Sequence, residues 1–155
     1  MNAAPTLRSI RACLEGAIPA ITATCAADGT PNVAYISQVV YVDEGHVALS
    51  FQFFNKTRQN ILANPCATVL VLDPVTARYY RLHLRYLRTE TCGPLFERMR
   101  AQLAGIASHE GMDDVFALKG SDLYAVEQVE ALPGEGLPPA PPRTDLLGAV
   151  RLCSQ

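Results

Sequence analysis

From Ala17 to Thr89 the apolar positions recur mostly with the period of a β-strand, and the helical period shows in only a few stretches. Residues 6–15 are compatible with a helix. Ala17 to Cys25, rich in Ile, Thr and Ala, runs into Asp28-Gly29-Thr30-Pro31, and Asp-Gly followed by Pro predicts a hairpin. Val33 to Val42 is β-branched and aromatic and ends at Asp43-Glu44-Gly45, where a second reversal is expected. In the next run Val47, Leu49, Phe51 and Phe53 alternate with Ala48, Ser50 and Gln52, so one face is apolar and the other carries small polar groups. The pattern predicts a three-strand antiparallel meander.

Asn55 to Asn64 then reads as a short helix, with Asn55 as N-cap and Asn64-Pro65 forcing its end. Ala67 to Leu72 is almost continuously apolar, as in a buried strand, and Asp73-Pro74 turns the chain toward a long strand from Tyr79 to Thr89. In that strand Tyr80, Leu82, Leu84 and Tyr86 alternate with Arg81, His83, Arg85 and Leu87, which sets a basic stripe opposite an apolar one. Gly93-Pro94 opens a second helix, because Pro is favoured at the first helical position, and Leu95, Phe96, Met99, Leu103 and Ile106 follow at helical spacing. Val115–Leu118 and Leu123–Val129 are the expected closing strands. Strands outnumber helices and the connections are short, so the fold class is mainly β: a small antiparallel barrel with a few packed helices.

Residues 1–130 form the expected domain, 131–143 a Pro/Gly-rich linker holding five of the eleven prolines, and 144–155 a tail or the start of a further element. Hydrophobic residues make up 49% and charged residues 18% of the 155, enough for one core. The net charge of −2 supplies no positive field for phosphate backbones, so nucleic acid is not an expected partner. No apolar run approaches the ~20 residues of a membrane span. Five cysteines without a CxxC pair fit neither a disulfide framework nor a zinc knuckle, and a reducing cytoplasm is the expected location. Cys25 and Cys66 sit in strand-like apolar contexts and read as small core hydrophobes. His46 and His109 lack a close ligand partner and read as surface residues, although His109-Glu110 is also a candidate acid/base pair. Neither GxGxxG nor GxxxxGK[ST] occurs.

The most informative stretch is Ser50 to Asn60, a strand running directly into a helix N-terminus. Helix N-termini expose free N–H donors and partial positive charge, and Lys56, Thr57 and Arg58 add two cations and a hydroxyl. The residues suit a phosphate cradle; they equally suit a solvated first turn capped by Asn55.

Gly16-Ala-Ile-Pro-Ala20, Asp28-Gly-Thr-Pro31, Ala34-Tyr-Ile-Ser37, Asn55-Lys-Thr-Arg-Gln-Asn-Ile-Leu-Ala-Asn-Pro65 and Ala67-Thr-Val-Leu-Val71, in that order and spacing, resemble the pyridoxamine 5'-phosphate oxidase-like FMN-binding split-barrel family. The resemblance covers residues 16–73 clearly and continues to about 130. It implies a split antiparallel β-barrel that forms a homodimer, with FMN in a cleft at the subunit interface. It further implies that Tyr35, Ile36, Ser37 and Gln38 of one strand and Ser50, Phe51 and Gln52 of the next lie against the flavin. Lys56 and Thr57, with Arg58 and Asn60, would hold its phosphate. Arg81 and His83 would reach a flavin phosphate or an anionic ligand from a neighbouring strand or subunit, if they are not simply an exposed polar face. The family's true oxidases carry an arginine and a lysine where this chain has Ala34 and Val39. The expected function is therefore an FMN-binding oxidoreductase acting on a small molecule other than pyridoxamine phosphate. A flavin-binding sensory module tethered to a signalling domain is the alternative, and a barrel serving only as a dimerisation scaffold a third reading.

Overall fold

The computed structural model describes residues 4–14, 18–53, 55–109 and 117–134, with the His109 side chain left out. The strands are β1 (Ala20–Cys25), β2 (Pro31–Ile36), β3 (Val39–Asp43), β4 (His46–Phe51), β5 (Cys66–Leu72), β6 (Tyr79–Glu90) and β7 (Gly120–Ala131). The helices are α1 (Lys56–Ala63) and α2 (Pro94–His109), with a short 3-10 turn at Arg11–Leu14 in place of the helix expected over 6–15. Aspartate closes three of the reversals: Asp28 accepts from Thr30 N, Asp43 from Gly45 N and Asp73 from Val75 N, at 2.8–2.9 Å. Gly29, at φ +88°, supplies the left-handed residue of the first hairpin. Donors to the ionised carboxylates hold all three below the usual aspartate range, the backbone N–H bonds being the chief cause.

The expected three-strand meander is corrected by the sheet order, β2-β1-β5-β6-β7-β4-β3, antiparallel throughout. The run Val33–Val42 is not one strand. It breaks at Ser37-Gln38, the two polar residues inside it, and its halves become the opposite edges of the sheet. Ile36 and Val39 are three chain steps apart and so at most ~11 Å from each other. Edges of a seven-stranded sheet can approach that closely only if the sheet rolls up, so this two-residue link makes it a split barrel. Ser50 N donating to Gln38 O at 3.2 Å ties the break to β4.

Core and exterior follow from the alternation. Val47, Leu49, Val69, Val71, Leu82, Leu84 and Tyr124 point inward, and Leu7, Ile10 and Leu14 of the N-terminal segment close over them. The one-sided pattern expected for β4 is also corrected. Ala48, on the supposed polar face, is fully buried with Val40 beneath Met99 of α2. A small side chain is what lets a helix sit close on the outside of a barrel strand. Of the two closing strands expected, the structure has β7, which starts earlier than Leu123; Ala117 to Lys119 are not strand, and Val115 lies outside the described residues. β7 reaches Ala131 and Leu132 N donates to Tyr79 O at 3.0 Å. Glu110 and the tail 144–155 also lie outside the described residues. Among the described residues no helix is long and apolar enough to cross a membrane.

Candidate functional site

A cavity of about 250 Å³ opens between the β2–β3 break, the end of β4 and the start of α1. Tyr35, Ile36, Ser37, Ser50, Phe51, Gln52, Thr57 and Arg58, all expected at the site, line it. Gln52 is buried, and its amide donates to Ser37 Oγ at 3.0 Å and to Ser50 Oγ at 3.4 Å. The other end of that carboxamide has no partner. A buried polar atom without a partner costs about 1–3 kcal/mol. Tyr35 is 79% and Phe53 55% exposed, so the rim is aromatic and uncovered.

α1 begins as expected. Asn55 Oδ1 accepts from Arg58 N at 3.1 Å, and Asn64 ends the helix in an extended conformation. With the Arg58 amide capped, the N–H groups of Lys56 and Thr57 are the first-turn donors left facing outward. Thr57 Oγ1 accepts from Asn32 Nδ2 at 3.0 Å, which leaves the hydroxyl proton available. Lys56 itself is exposed and does not line the cavity.

Arg58 turns inward. Its guanidinium donates to Asp122 Oδ1 at 2.7 Å and to Thr89 Oγ1 at 2.9 Å, and lies 4.3 Å from the centre of the Phe51 ring. Thr89 donates to the same Asp122 oxygen and meets the Tyr86 hydroxyl at 2.7 Å. Both charged side chains are about nine-tenths buried, with side-chain exposures of 12% and 10%. Burial pushes the Asp122 carboxyl up while Thr89 and Arg58 pull against it. Tyr124, edge-on to Tyr86 at 5.6 Å, is also pushed up by burial.

A β-bulge builds this network. Tyr86 faces Tyr124, but after Leu87 the register shifts so that Arg88 faces Leu123 and Thr89 faces Asp122. Residues three apart in a regular strand point to opposite faces; the extra residue puts Tyr86 and Thr89 on the same one. Asp122, Tyr124, Thr89 and Asn32 are site residues that pattern reading did not pick out. The signal for Asp122 was an acid set between Ser121 and Leu123 in an apolar stretch, which calls for a buried cation.

Besides Lys56, four expected residues stand apart from the cavity. Gln38 is buried and donates to Met99 O at 3.2 Å, anchoring α2. Asn60 is buried and donates to Thr24 Oγ1 at 3.1 Å, pinning α1 to β1. Arg81 and His83 face away from the core, both on Glu130, at 3.4 and 2.9 Å. His83 and Arg81 in turn hold the Glu130 carboxyl below its usual range. Among the described residues no three His, Cys, Asp or Glu side chains gather as a metal site.

The same fold occurs in solved structures. An FMN-binding protein of Syntrophomonas wolfei subsp. wolfei is 17% identical, the match covering 81% of this chain and 89% of that one, with a TM-score of 0.64. HupZ of Group A Streptococcus is 19% identical over 88% of this chain and 97% of its own, with a TM-score of 0.64. A FAD-binding protein of Mesorhizobium loti is 20% identical over 82% and 94%, with a TM-score of 0.52. At these identities the likeness is one of fold. No curated protein matches the chain. The family model described as pyridoxamine 5'-phosphate oxidase matches residues 7–128, a span running from the N-terminal segment that closes the core well into β7, and the chain belongs to that family.

Proposed function

We propose that the cavity binds FMN and that the protein is an FMN-dependent oxidoreductase of a small molecule, working as a homodimer whose second copy completes the cleft. The buried Gln52 carboxamide carries this reading: Gln52 lines a cavity walled by aromatic rings, and the carboxamide oxygen lacks the hydrogen-bond partner that a polar ligand edge would supply. The pyrimidine edge of a flavin, with an N–H between two carbonyls, is such an edge. Phe51 and Tyr35 offer apolar surface to the flat ring system. Thr57, the first-turn amides and the Lys56 ammonium would take the phosphate. Arg58 would not, since Asp122 neutralises it; its part is to hold the Phe51 wall. FMN when bound supplies the electron-transfer chemistry, and the chain's own residues supply orientation and exclusion of water. The exposed Tyr35 and Phe53 rims support the dimer, since a partner would cover them. The FMN-binding and FAD-binding structural neighbours support a flavin ligand.

Titrating the protein with FMN and with riboflavin tests the reading. Lys56→Ala should weaken FMN about ten- to a hundredfold, the range for losing a hydrogen bond to a charged group, and leave riboflavin unchanged. A protein that binds neither flavin at millimolar concentration refutes it. Bleaching of bound FMN by a nicotinamide cofactor would favour the enzyme over a flavin-binding sensory module. Sedimentation equilibrium giving the mass of one chain at micromolar concentration would remove the shared cleft.

A further inference from the structure

Strand register brings two cysteines to facing positions on the outer face of the barrel, on strands that do not line the Gln52 cavity. β1 and β5 pair antiparallel up to Thr24 opposite Ala67, and the next residue of each strand is Cys25 and Cys66. Facing residues of such a ladder have Cα atoms about 4.5–5.5 Å apart, inside the roughly 4.4–6.8 Å that a disulfide spans. Thr24 and Ala67 are buried in the barrel, so strand alternation turns Cys25 and Cys66 outward. Both line a second cavity of about 360 Å³, together with Asn64, Thr68, His83 and Glu127. The expectation that both are core hydrophobes is corrected: Cys66 is exposed and Cys25 half-buried. A cation stands beside Cys66. Arg85 faces Cys66 across β5 and β6, and its pKa is raised first by the Glu127 carboxylate 2.6 Å away and also by the Cys66 sulfur.

We propose that Cys25 and Cys66 form a hydroperoxide-sensitive dithiol, with Cys66 the attacking and Cys25 the resolving thiol. Access decides the order: Cys66 is open to solvent, whereas the Cys25 thiol lies 3.5 Å from Ala26 O as a donor. The Cys66 thiolate attacks the terminal oxygen of the hydroperoxide, the O–O bond breaks, and the alcohol or water leaves with a proton. Cys66 is now a sulfenic acid, two electrons more oxidised. The Cys25 sulfur then attacks the Cys66 sulfur, the S–S bond forms, the S–O bond breaks, and water leaves carrying the Cys25 proton. The bond joins β1 to β5 where α1 ends, next to Asn64, whose side chain accepts from Cys66 N at 3.3 Å.

The test is peptide mass spectrometry of the full chain, alkylated without reductant after equimolar hydrogen peroxide. Trypsin places Cys25 in residues 12–56 and Cys66 in residues 59–78. The expected product joins these two peptides, has lost two hydrogen atoms, is reversed by dithiothreitol, and fragments to Cys25 and not to Cys13. Cys92, exposed in the turn before α2, is the internal comparator and should oxidise at least about tenfold more slowly. In Cys25→Ser, Cys66 should stop at a sulfenic acid that dimedone traps; in Cys66→Ser, Cys25 should stay reduced. Circular dichroism checks that both variants fold, and the wild-type cross-link stands without them. A wild-type protein in which Cys66 passes to sulfinic acid uncrosslinked, bonds to Cys13 or to a second chain, or reacts no faster than Cys92 overturns the proposal.

Discussion

Replacing Asp122 by alanine should destabilise the protein by about 3–5 kcal/mol, because it leaves the Arg58 guanidinium buried without its counter-charge. The structure sets that magnitude. Arg58 and Asp122 have side-chain exposures of 12% and 10%, so water cannot replace the lost carboxylate at little cost. Asp122 also accepts from Thr89, so the variant frees a second buried donor. In urea, with a slope of about 2 kcal/mol per molar for a domain of this size, the midpoint should fall by about 2 M. The double variant Arg58→Met, Asp122→Leu removes both charges and should recover most of the loss, less about 1 kcal/mol for the cation–π contact with Phe51. With the single variants Arg58→Met and Asp122→Leu completing the cycle, the coupling should be at least about 2 kcal/mol. A single-variant loss below about 1 kcal/mol, or additive losses, would mean that the pair is hydrated and that Arg58 is free for a ligand phosphate.

Gly120→Ala should cost about 1–3 kcal/mol and weaken flavin binding, since its Cβ would lie 2.6 Å from Thr89 Cγ2 and 3.3 Å from Phe51 Cδ1; unfolding and FMN titrations read both. Gly105→Ala in α2, where nothing beyond the helix's own backbone lies within 4 Å of the added carbon, should instead stabilise by about 0.5–1 kcal/mol. Asp28, Asp43 and Asp73 have depressed folded pKa values, so their contribution is present above the unfolded aspartate value of about 4 and lost as pH falls below it. Urea midpoints across pH 2–6 should show that acid limb, and changing all three to Asn should flatten it. Deleting residues 135–155 should leave the thermal midpoint within about 4 °C, equivalent to roughly 1 kcal/mol; a larger drop would show that the tail belongs to the folded domain. The cut belongs after Gly134 because Leu132 still bonds Tyr79.

The sequence by itself determined the local events, because their causes lie within a few residues. Asp28, Asp43 and Asp73 accept from amides two residues on, Asn55 caps α1 and Asn64-Pro65 ends it, and the alternation of Tyr80, Leu82 and Leu84 marks the buried face of β6. The family was legible too, through the order of such signals from residue 16 to 73. Only the tertiary structure decided which strands meet. The run Val33–Val42 carries no local sign that its halves belong to opposite edges, because that split depends on pairings with β1 and β4 made elsewhere in the chain. Period-two reading likewise assigned Ala48 to a polar face, since it cannot see α2 arriving from fifty residues downstream. The inward turn of Arg58 follows from a bulge at Leu87 and an aspartate sixty-four positions away. A cation at a helix start is solvated or buried according to the charge that folding sets opposite it, and for Arg58 that charge is Asp122.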